Sequence, residues 1–184
     1  MDGPTRKLTA ADYFDAAIEL LEESGFPALT AVGLCARLGT TRGSFYHHFE
    51  NFDDFVDKFL SYWEERYSRE LIDRSESTEV WSQIDLQADL AIGLPHAAEA
   101  ALRGWATINP NVATAQRRVD ELRRQALATS LQRHGIAESQ ARTFATIAIA
   151  ALAGIQVTQP LSRTELRAMY TDLMTAIGRP ASRG

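Results

Sequence analysis

The chain has 184 residues, of which 45% are hydrophobic and 23% charged, and its formal net charge is −5. This is the composition of a soluble globular chain that can bury a core without metal or disulfide support. Its one cysteine, Cys35, excludes an internal disulfide and favours a reducing cytoplasm as the location of the protein. No signal peptide or membrane span is expected, because the longest apolar stretch, residues 147–155, is short.

The residues after Thr9 predict a first helix. Thr9 and Asp12, three positions apart, have the spacing of a capping box. Apolar side chains then recur with helical spacing at Phe14, Ala17 and Leu21. Gly25 follows as the expected end of the helix because glycine commonly terminates helices.

Two shorter helices follow, joined by a tight turn. Thr30 is expected to cap a helix over residues 31–38, which Gly39 ends. Thr41 is expected to cap another over residues 42–49. Two short helices joined by a glycine-containing turn are typical of a helix-turn-helix, a DNA-binding motif.

The rest of the chain is also expected to be helical. Its apolar periodicity and its prolines divide it into six further helices, at residues 51–75, 79–92, 96–107, 111–134, 137–157 and 162–177. The predicted fold class is therefore all-α. It has an N-terminal three-helix helix-turn-helix DNA-binding domain at residues 1–50 and a C-terminal bundle of about six helices at residues 51–184 for ligand binding and dimerisation.

The third helix carries polar groups suited to DNA. Its first residues are small or polar, which allows close approach to a duplex. Arg42 can pair with guanine or clamp a phosphate, and the hydroxyl of Tyr46 is a phosphate donor. Residues 1–50 nevertheless hold 4 Lys and Arg against 7 Asp and Glu. The acidic side chains of the first helix must therefore face away from the DNA.

The segment TRGSFYHHF, residues 41–49, resembles the recognition helix of TetR-family regulators. Ala16, Ala17, Gly25, Phe26 and Thr30 also stand where that family places such residues. The resemblance covers roughly the first 60 residues. It implies a bacterial, cytoplasmic, homodimeric regulator that binds a palindromic double-stranded DNA operator, with repression favoured over activation.

The resemblance also implies a set of DNA contacts. Thr30 and Thr41 would hold phosphates, and Tyr46 would fix the DNA backbone. The residues that would face bases are Arg42, Gly43, Ser44 and His47. Arg6 and Lys7 would form a flexible basic arm.

The chain departs from the family pattern at two positions. Phe52, flanked by Asp53 and Asp54, stands where the family often has a phosphate-contacting lysine, which predicts weaker DNA affinity. Thr40 stands in the turn where an apolar residue is usual.

Bulky side chains of the larger domain are candidates for a ligand pocket. Ordinary core packing is their commonest role. Several long helices with few buried charges can also enclose a cavity for a small apolar or amphipathic effector. The candidates are Trp63, Tyr67, Trp81, Trp105 and Leu122.

The helix at residues 137–157 is apolar on most sides and must be covered on most sides. Pairing with the same helices of a second subunit, as a four-helix bundle, would cover it; a fully internal helix in a monomer is the alternative. The predicted interface residues are Phe144, Ile147, Ala148, Ala151, Leu152 and Ile155.

No catalytic set, metal site or cofactor is expected. His47 and His48 point in different directions on a helix and lack further ligands nearby, so His47 is expected to be exposed and His48 packed. A surface contact is the expected role of His96 and Glu99. Three alternatives remain open: a regulator controlled by a protein partner or without an effector, a helical enzyme, and a scaffold that has lost DNA binding.

Overall fold

The computed structural model describes residues 7–70, 72–73, 80–158 and 162–176, with side chains at all of these except 80–84, 174 and 176. Within them the chain forms nine α-helices and no strand. The helices are α1 (Ala10–Ser24), α2 (Ala31–Arg37), α3 (Arg42–His48), α4 (Phe52–Glu64), α5 (Val80–Ile92), α6 (His96–Ala106), α7 (Pro110–Arg133), α8 (Glu138–Thr158) and α9 (Arg163–Ala176). The predicted all-α fold is confirmed.

Polar side chains cap the N-termini of the helices where the sequence predicts them. Thr9 and Asp12 form the reciprocal capping box of α1. The side chains of Thr30, Thr41 and Asn51 accept backbone N–H groups at the starts of α2, α3 and α4. These bonds satisfy N–H groups that have no partner inside a helix, so they fix where each helix begins.

The helix that starts at Phe52 is not one regular α-helix to residue 75. After Glu64 the chain widens into a π-helical turn, Glu65–Arg69, in which the N–H of Glu70 bonds the carbonyl of Glu65. Residues five apart lie nearly above one another in a π turn, and Arg69 accordingly bonds Glu64 at 2.6 Å. The turn also carries Ser68 into the interior, where it is 2% exposed.

One hydrophobic core joins the first four helices to the larger bundle. It runs from Tyr13 on α1 through Trp63 on α4 to Leu102 and Val119 on α6 and α7. At the junction, the ring of Phe26 stacks on Trp105 with centroids 6.4 Å apart and an interplanar angle of 2°. The division expected at residue 50 is therefore not a division of the core.

The helix α8 is more apolar and longer than the stretch at residues 147–155 suggests. Its 21 residues have a mean hydropathy of 1.4 in their most apolar window, and only 17% of that window is buried within one chain. By length and composition alone it could cross a membrane. A helix with this much uncovered apolar surface can equally pack against another protein surface.

Candidate nucleic-acid interface and ligand cavity

A glycine conformation and a backbone hydrogen bond define the turn between α2 and α3. Gly39 has φ +61°, a conformation that favours glycine, and the N–H of Thr40 bonds the carbonyl of Cys35 at 2.9 Å. The Cys35 thiol donates to the carbonyl of Thr41 at 3.3 Å, and burial raises its pKa. Cys35 is 5% exposed and lies in the core. The thiol thus ties α2 directly to the cap of α3.

The inner face of α3 is anchored by aromatic rings. Phe45 and Phe49 are 0% and 1% exposed, and both pack edge-on against Tyr13. The hydroxyl of Tyr13 donates to the Ser44 hydroxyl oxygen at 2.9 Å. Ser44 is therefore half-buried and partly engaged inside the domain, whereas the resemblance implies that it faces bases. His48 is half-buried beside Tyr13, as predicted.

The outer face of α3 brings most of the expected DNA-contacting residues together. Thr41, Arg42, Gly43, Tyr46 and His47 are all exposed there. The guanidinium carbon of Arg42 lies 6.0 Å from the ring centroid of Tyr46. A Cβ added at Gly43 would meet only the Thr41 hydroxyl, at 3.6 Å, so the fold itself does not require glycine at this position.

The remaining expected DNA contacts lie outside α3. Thr30 is exposed at the cap of α2, and its hydroxyl accepts the N–H of Gly33. Lys7 is exposed before α1. Arg6 lies outside the described residues.

Acidic side chains of α1 are paired within the domain. Arg37 bonds Glu19 at 2.9 Å and Glu23 at 2.5 and 2.7 Å, and its hydrogen bond lowers the pKa of Glu23. Asp15 accepts the hydroxyl of Tyr62 at 2.6 Å, a contact that joins α1 to α4. Pairing with Arg37 thus partly offsets the local excess of acid.

The start of α4 offers little positive charge. Phe52 is half-buried and stacks on Phe55 with centroids 5.6 Å apart. Lys58, one turn further along, is bonded to Asp54 at 2.8 Å. A phosphate near the start of α4 would therefore meet an aromatic ring and an already paired lysine.

Residues 14–58 match the family model described as bacterial regulatory proteins, tetR family. By this match, residues 14–58 form a TetR-family domain. Comparison of the sequence with curated proteins found no significant match. The TetR match spans α1 to α4 and so includes the exposed face of α3.

Solved structures share the TetR-type fold over nearly the whole chain. A transcriptional regulator from Rhodococcus sp. Rha1 is 18% identical, with TM-score 0.77 and coverage of 92% of this chain and 96% of that one. A TetR-family regulator from Agrobacterium tumefaciens is 20% identical, with TM-score 0.76 and coverages of 91% and 96%. A putative regulator from Saccharomonospora viridis, solved in complex with choline, is 16% identical, with TM-score 0.73 and coverages of 90% and 95%.

A cavity of about 220 Å³ lies in the larger part of this TetR-type fold. The π turn supplies Tyr67 and Ser68 to its wall, and the other walls come from α5, α7, α8 and α9. Arg123 is its only charged lining residue among those the structure describes. Most of the lining is aliphatic, with Leu, Ile and Ala side chains from four helices.

Most of the predicted pocket residues do not line this cavity. Tyr67 does. Trp63 and Trp105 are instead buried in the core. There Trp63 bonds Glu99, and Trp105 stacks on Phe26. Leu122 is half-buried and does not line the cavity. The side chain of Trp81 lies outside the described ones. Aromatic content indicated a bulky interior but not which helix faces surround the open space.

A buried ion pair stands beside the cavity, between α6 and α7. Arg123 donates to both carboxylate oxygens of Glu99 at 2.9 Å and to the carbonyl of Tyr67 at 3.0 Å. Trp63 donates to the same carboxylate at 3.0 Å. Burial by itself raises the pKa of Glu99, but the charge and hydrogen bonds of Arg123 outweigh it and hold that pKa below its usual value. The surface role expected for Glu99 was therefore wrong.

A second set of ion pairs ties the π turn to α7. Glu64 is 6% exposed and bonds Arg69 in the π turn and Arg118 on α7, at 2.6 and 3.0 Å. Its pKa is held below the usual value because these two guanidinium groups outweigh the effect of burial, which is to raise it. The end of α4 is thus fixed to α7 by charge as well as by apolar packing.

The predicted interface stripe of α8 is only partly turned to the interior of the chain: Ile147 is 48% exposed, and the other five residues are half-buried. Four of its six residues line the cavity: Ile147, Ala148, Ala151 and Leu152. Phe144 packs on the small cluster of Leu131 and Ala141, and Ile155 is half-buried. The cavity lies between this stripe and the side chains of α5 and α9, while α8 itself packs mainly on α7 and α6. An exposed stripe remains on α8, formed by Thr143, Thr146, Ile147, Ala150 and Val157.

Proposed function

We propose that this chain is a homodimeric DNA-binding transcription regulator, with residues 1–50 reading DNA and residues 51–184 forming the ligand-binding and dimerisation part. The observation that carries the proposal is the division of α3 into two faces. Phe45 and Phe49 fix one face in the core, while Arg42, Tyr46 and His47 stand exposed on the other. A helix held in this way can enter a major groove without rearrangement.

The exposed face has groups for both kinds of DNA contact. Arg42 suits bidentate bonding to guanine, and the exposed ring of His47 can bond a base edge. Thr30, Thr41 and Tyr46 have hydroxyl groups suited to phosphate. In a dimer, two such faces about 34–36 Å apart would read a palindromic operator.

The uncovered apolar surface of α8 supports dimerisation. Val157 is 58% exposed on the stripe of small residues that runs through Ala150, and a Cβ added at the neighbouring Gly154 would meet nothing within 4 Å. Small side chains would let the same helix of a second copy approach closely, with α9 beside it, as in a four-helix bundle. This assembly would bury much of the apolar surface that makes α8 resemble a membrane span.

Release by a small effector is the mode of regulation that the cavity supports. The π turn places Tyr67 and Ser68 on the cavity wall, and the same helix runs back to the DNA-binding domain. A ligand that shifts this helix would change the separation of the two recognition helices. The choline complex of the Saccharomonospora viridis regulator is a case of ligand binding by this fold. We propose repression by operator occupancy, in a bacterial cytoplasm.

Selection of bound duplexes from a random DNA pool, at a stated salt concentration, tests the proposal. The selected sites are expected to be palindromic, and Arg42→Ala is expected to lower affinity for them at least about tenfold. Arg142→Ala is the control, because Arg142 is an exposed arginine on α8 paired with Glu138. Indifference to every duplex at low ionic strength would refute the proposal and favour a scaffold that has lost DNA binding.

The other candidate functions have less support. A filled core would favour a regulator without an effector, whereas the chain contains a cavity. An enzyme would need convergent acid, base or nucleophilic groups. Among its described lining residues the cavity has neither a carboxylate nor a histidine, and Arg123 is committed to Glu99.

A further inference from the structure

The hydroxyl group of Ser68 is a buried polar group on the cavity wall. Ser68 is 2% exposed and lines the cavity, and its Oγ has no hydrogen-bond partner among the residues that the structure describes. Other helical serines differ: the hydroxyls of Ser61 and Ser130 each donate to the carbonyl four residues earlier, at 3.0 Å. A buried hydroxyl without a partner is costly, so a cavity ligand that bonds it gains affinity.

The cavity carries no net charge available to a ligand. Its one charged lining residue in the described part of the chain, Arg123, is neutralised by Glu99 and also bonded to the carbonyl of Tyr67. A ligand carboxylate would bring an uncompensated negative charge into an apolar space. A ligand ammonium group would meet no free carboxylate there. Both are therefore disfavoured by desolvation.

The size of the cavity limits the ligand. An apolar cavity of about 150 Å³ accepts benzene. At about 220 Å³, this cavity suits a somewhat larger molecule, of roughly ten non-hydrogen atoms. The aliphatic side chains of α5, α7, α8 and α9 that form most of the wall suit a hydrocarbon body.

We propose that the cavity binds a neutral, mostly apolar molecule with one hydroxyl or carbonyl group, and that this group bonds the Oγ of Ser68. The inference rests on the effector role proposed above and specifies its ligand class. Because Ser68 lies on the π turn that continues α4, the same bond gives the ligand a direct hold on the helix that runs to the DNA-binding domain.

Calorimetric titration of the full chain with three probes of equal chain length tests the ligand class. The probes are octan-1-ol, octanoate and octyltrimethylammonium, each below its aggregation limit. Octan-1-ol is expected to bind at least about tenfold more tightly than either ion, because each ion must lose hydration without gaining a partner.

Two variants test the role of Ser68. Ser68→Ala is expected to weaken octan-1-ol binding about 3- to 10-fold, the effect of one lost hydrogen bond. Ser61→Ala, on the solvent side of the same helix, is expected to leave binding unchanged. Thermal unfolding of both variants checks that they fold, and Ser68→Ala is expected to melt no lower than the unchanged chain because it removes a buried hydroxyl without a partner.

The inference is overturned if an ion binds as tightly as octan-1-ol, if none of the probes binds, or if Ser68→Ala leaves octan-1-ol binding intact. DNA titration of the same preparations separates this inference from the proposed function. A chain that binds its selected operator but fails these tests remains a regulator with another ligand class. A chain that binds no DNA refutes the proposed function, while the calorimetry still decides what the cavity accepts.

Discussion

Replacement of Glu99 by glutamine is expected to destabilise the fold strongly. Glu99 is 0% exposed and Arg123 only 10%, so Glu99→Gln leaves a buried guanidinium charge that Glu99 no longer neutralises, although the amide oxygen and the Tyr67 carbonyl can still accept hydrogen bonds from it. Breaking a buried ion pair from one side costs about 3–5 kcal/mol. In a chain of this length that corresponds to a fall in melting temperature of about 6–20 °C.

Thermal and urea unfolding at neutral pH, with a surface control, measure this effect. Glu138→Gln breaks the pair with Arg142, whose side chains are 65% and 71% exposed, and is expected to cost about 0.5 kcal/mol or less. The double variant Glu99→Gln/Arg123→Met is expected to recover most of the loss because no charge remains buried. A loss of under about 1 kcal/mol for Glu99→Gln would show that water reaches the pair and that the reasoning is wrong.

The same pair predicts how stability depends on pH. The folded-state pKa of Glu99 lies below its usual value, so its contribution to stability is present above the unfolded pKa of about 4.3 and is lost as the pH falls through the lower folded value. Glu99→Gln removes this titration. A plot of unfolding free energy against pH between about 2 and 5 should therefore be flatter for the variant than for the unchanged chain.

Four other substitutions give distinct outcomes. Gly43→Ala is expected to keep or slightly raise the melting temperature, because the new Cβ meets nothing closer than 3.6 Å. The same substitution is expected to weaken operator binding in a gel shift, and unchanged binding would show that DNA does not approach this residue. Gly33→Ala is the matched contrast: its Cβ would lie 2.5 Å from the Ala28 carbonyl oxygen, so a loss of at least about 1 kcal/mol in urea unfolding is expected. Phe52→Lys is expected to tighten DNA binding and to steepen the plot of log K against log salt by about 0.9 per subunit, or about 1.8 for the dimer, whereas an unaltered slope would show that no phosphate comes near α4. Ala150→Glu is expected to convert dimers to monomers in light scattering at micromolar concentration, and a persistent dimer would exclude the exposed stripe of α8 as the interface.

Local sequence signals predicted the helices well. Thr9, Thr30, Thr41 and Asn51 act on N–H groups within three residues of themselves, so their sequence spacing was enough to locate the starts of α1 to α4. The two faces of α3 were predictable for a similar reason, because helical periodicity separates Phe45 and Phe49 from Tyr46 and His47.

The features that depend on distant residues were not predictable in this way. Glu99 and Arg123 are 24 positions apart, and nothing in either neighbourhood distinguishes them from surface charges. Glu64, at the start of the π turn, likewise bonds Arg118 of α7, 54 positions away, as well as Arg69. The apolar stripe of α8 was recognised, but its orientation depends on how α6 and α7 pack against α8, which periodicity does not specify.

The stacking of Phe26 on Trp105 has a consequence for building hybrid regulators. Because the core passes through this contact without interruption, the segment that recognises DNA is not an independent cassette. A chimera that takes its first 50 residues from another protein needs an aromatic side chain that stacks on Trp105, as Phe26 does here. Without one, Trp105 must be substituted as well. New operator specificity in this scaffold is thus more readily obtained by altering the outward side chains of α3 than by transplanting the whole segment.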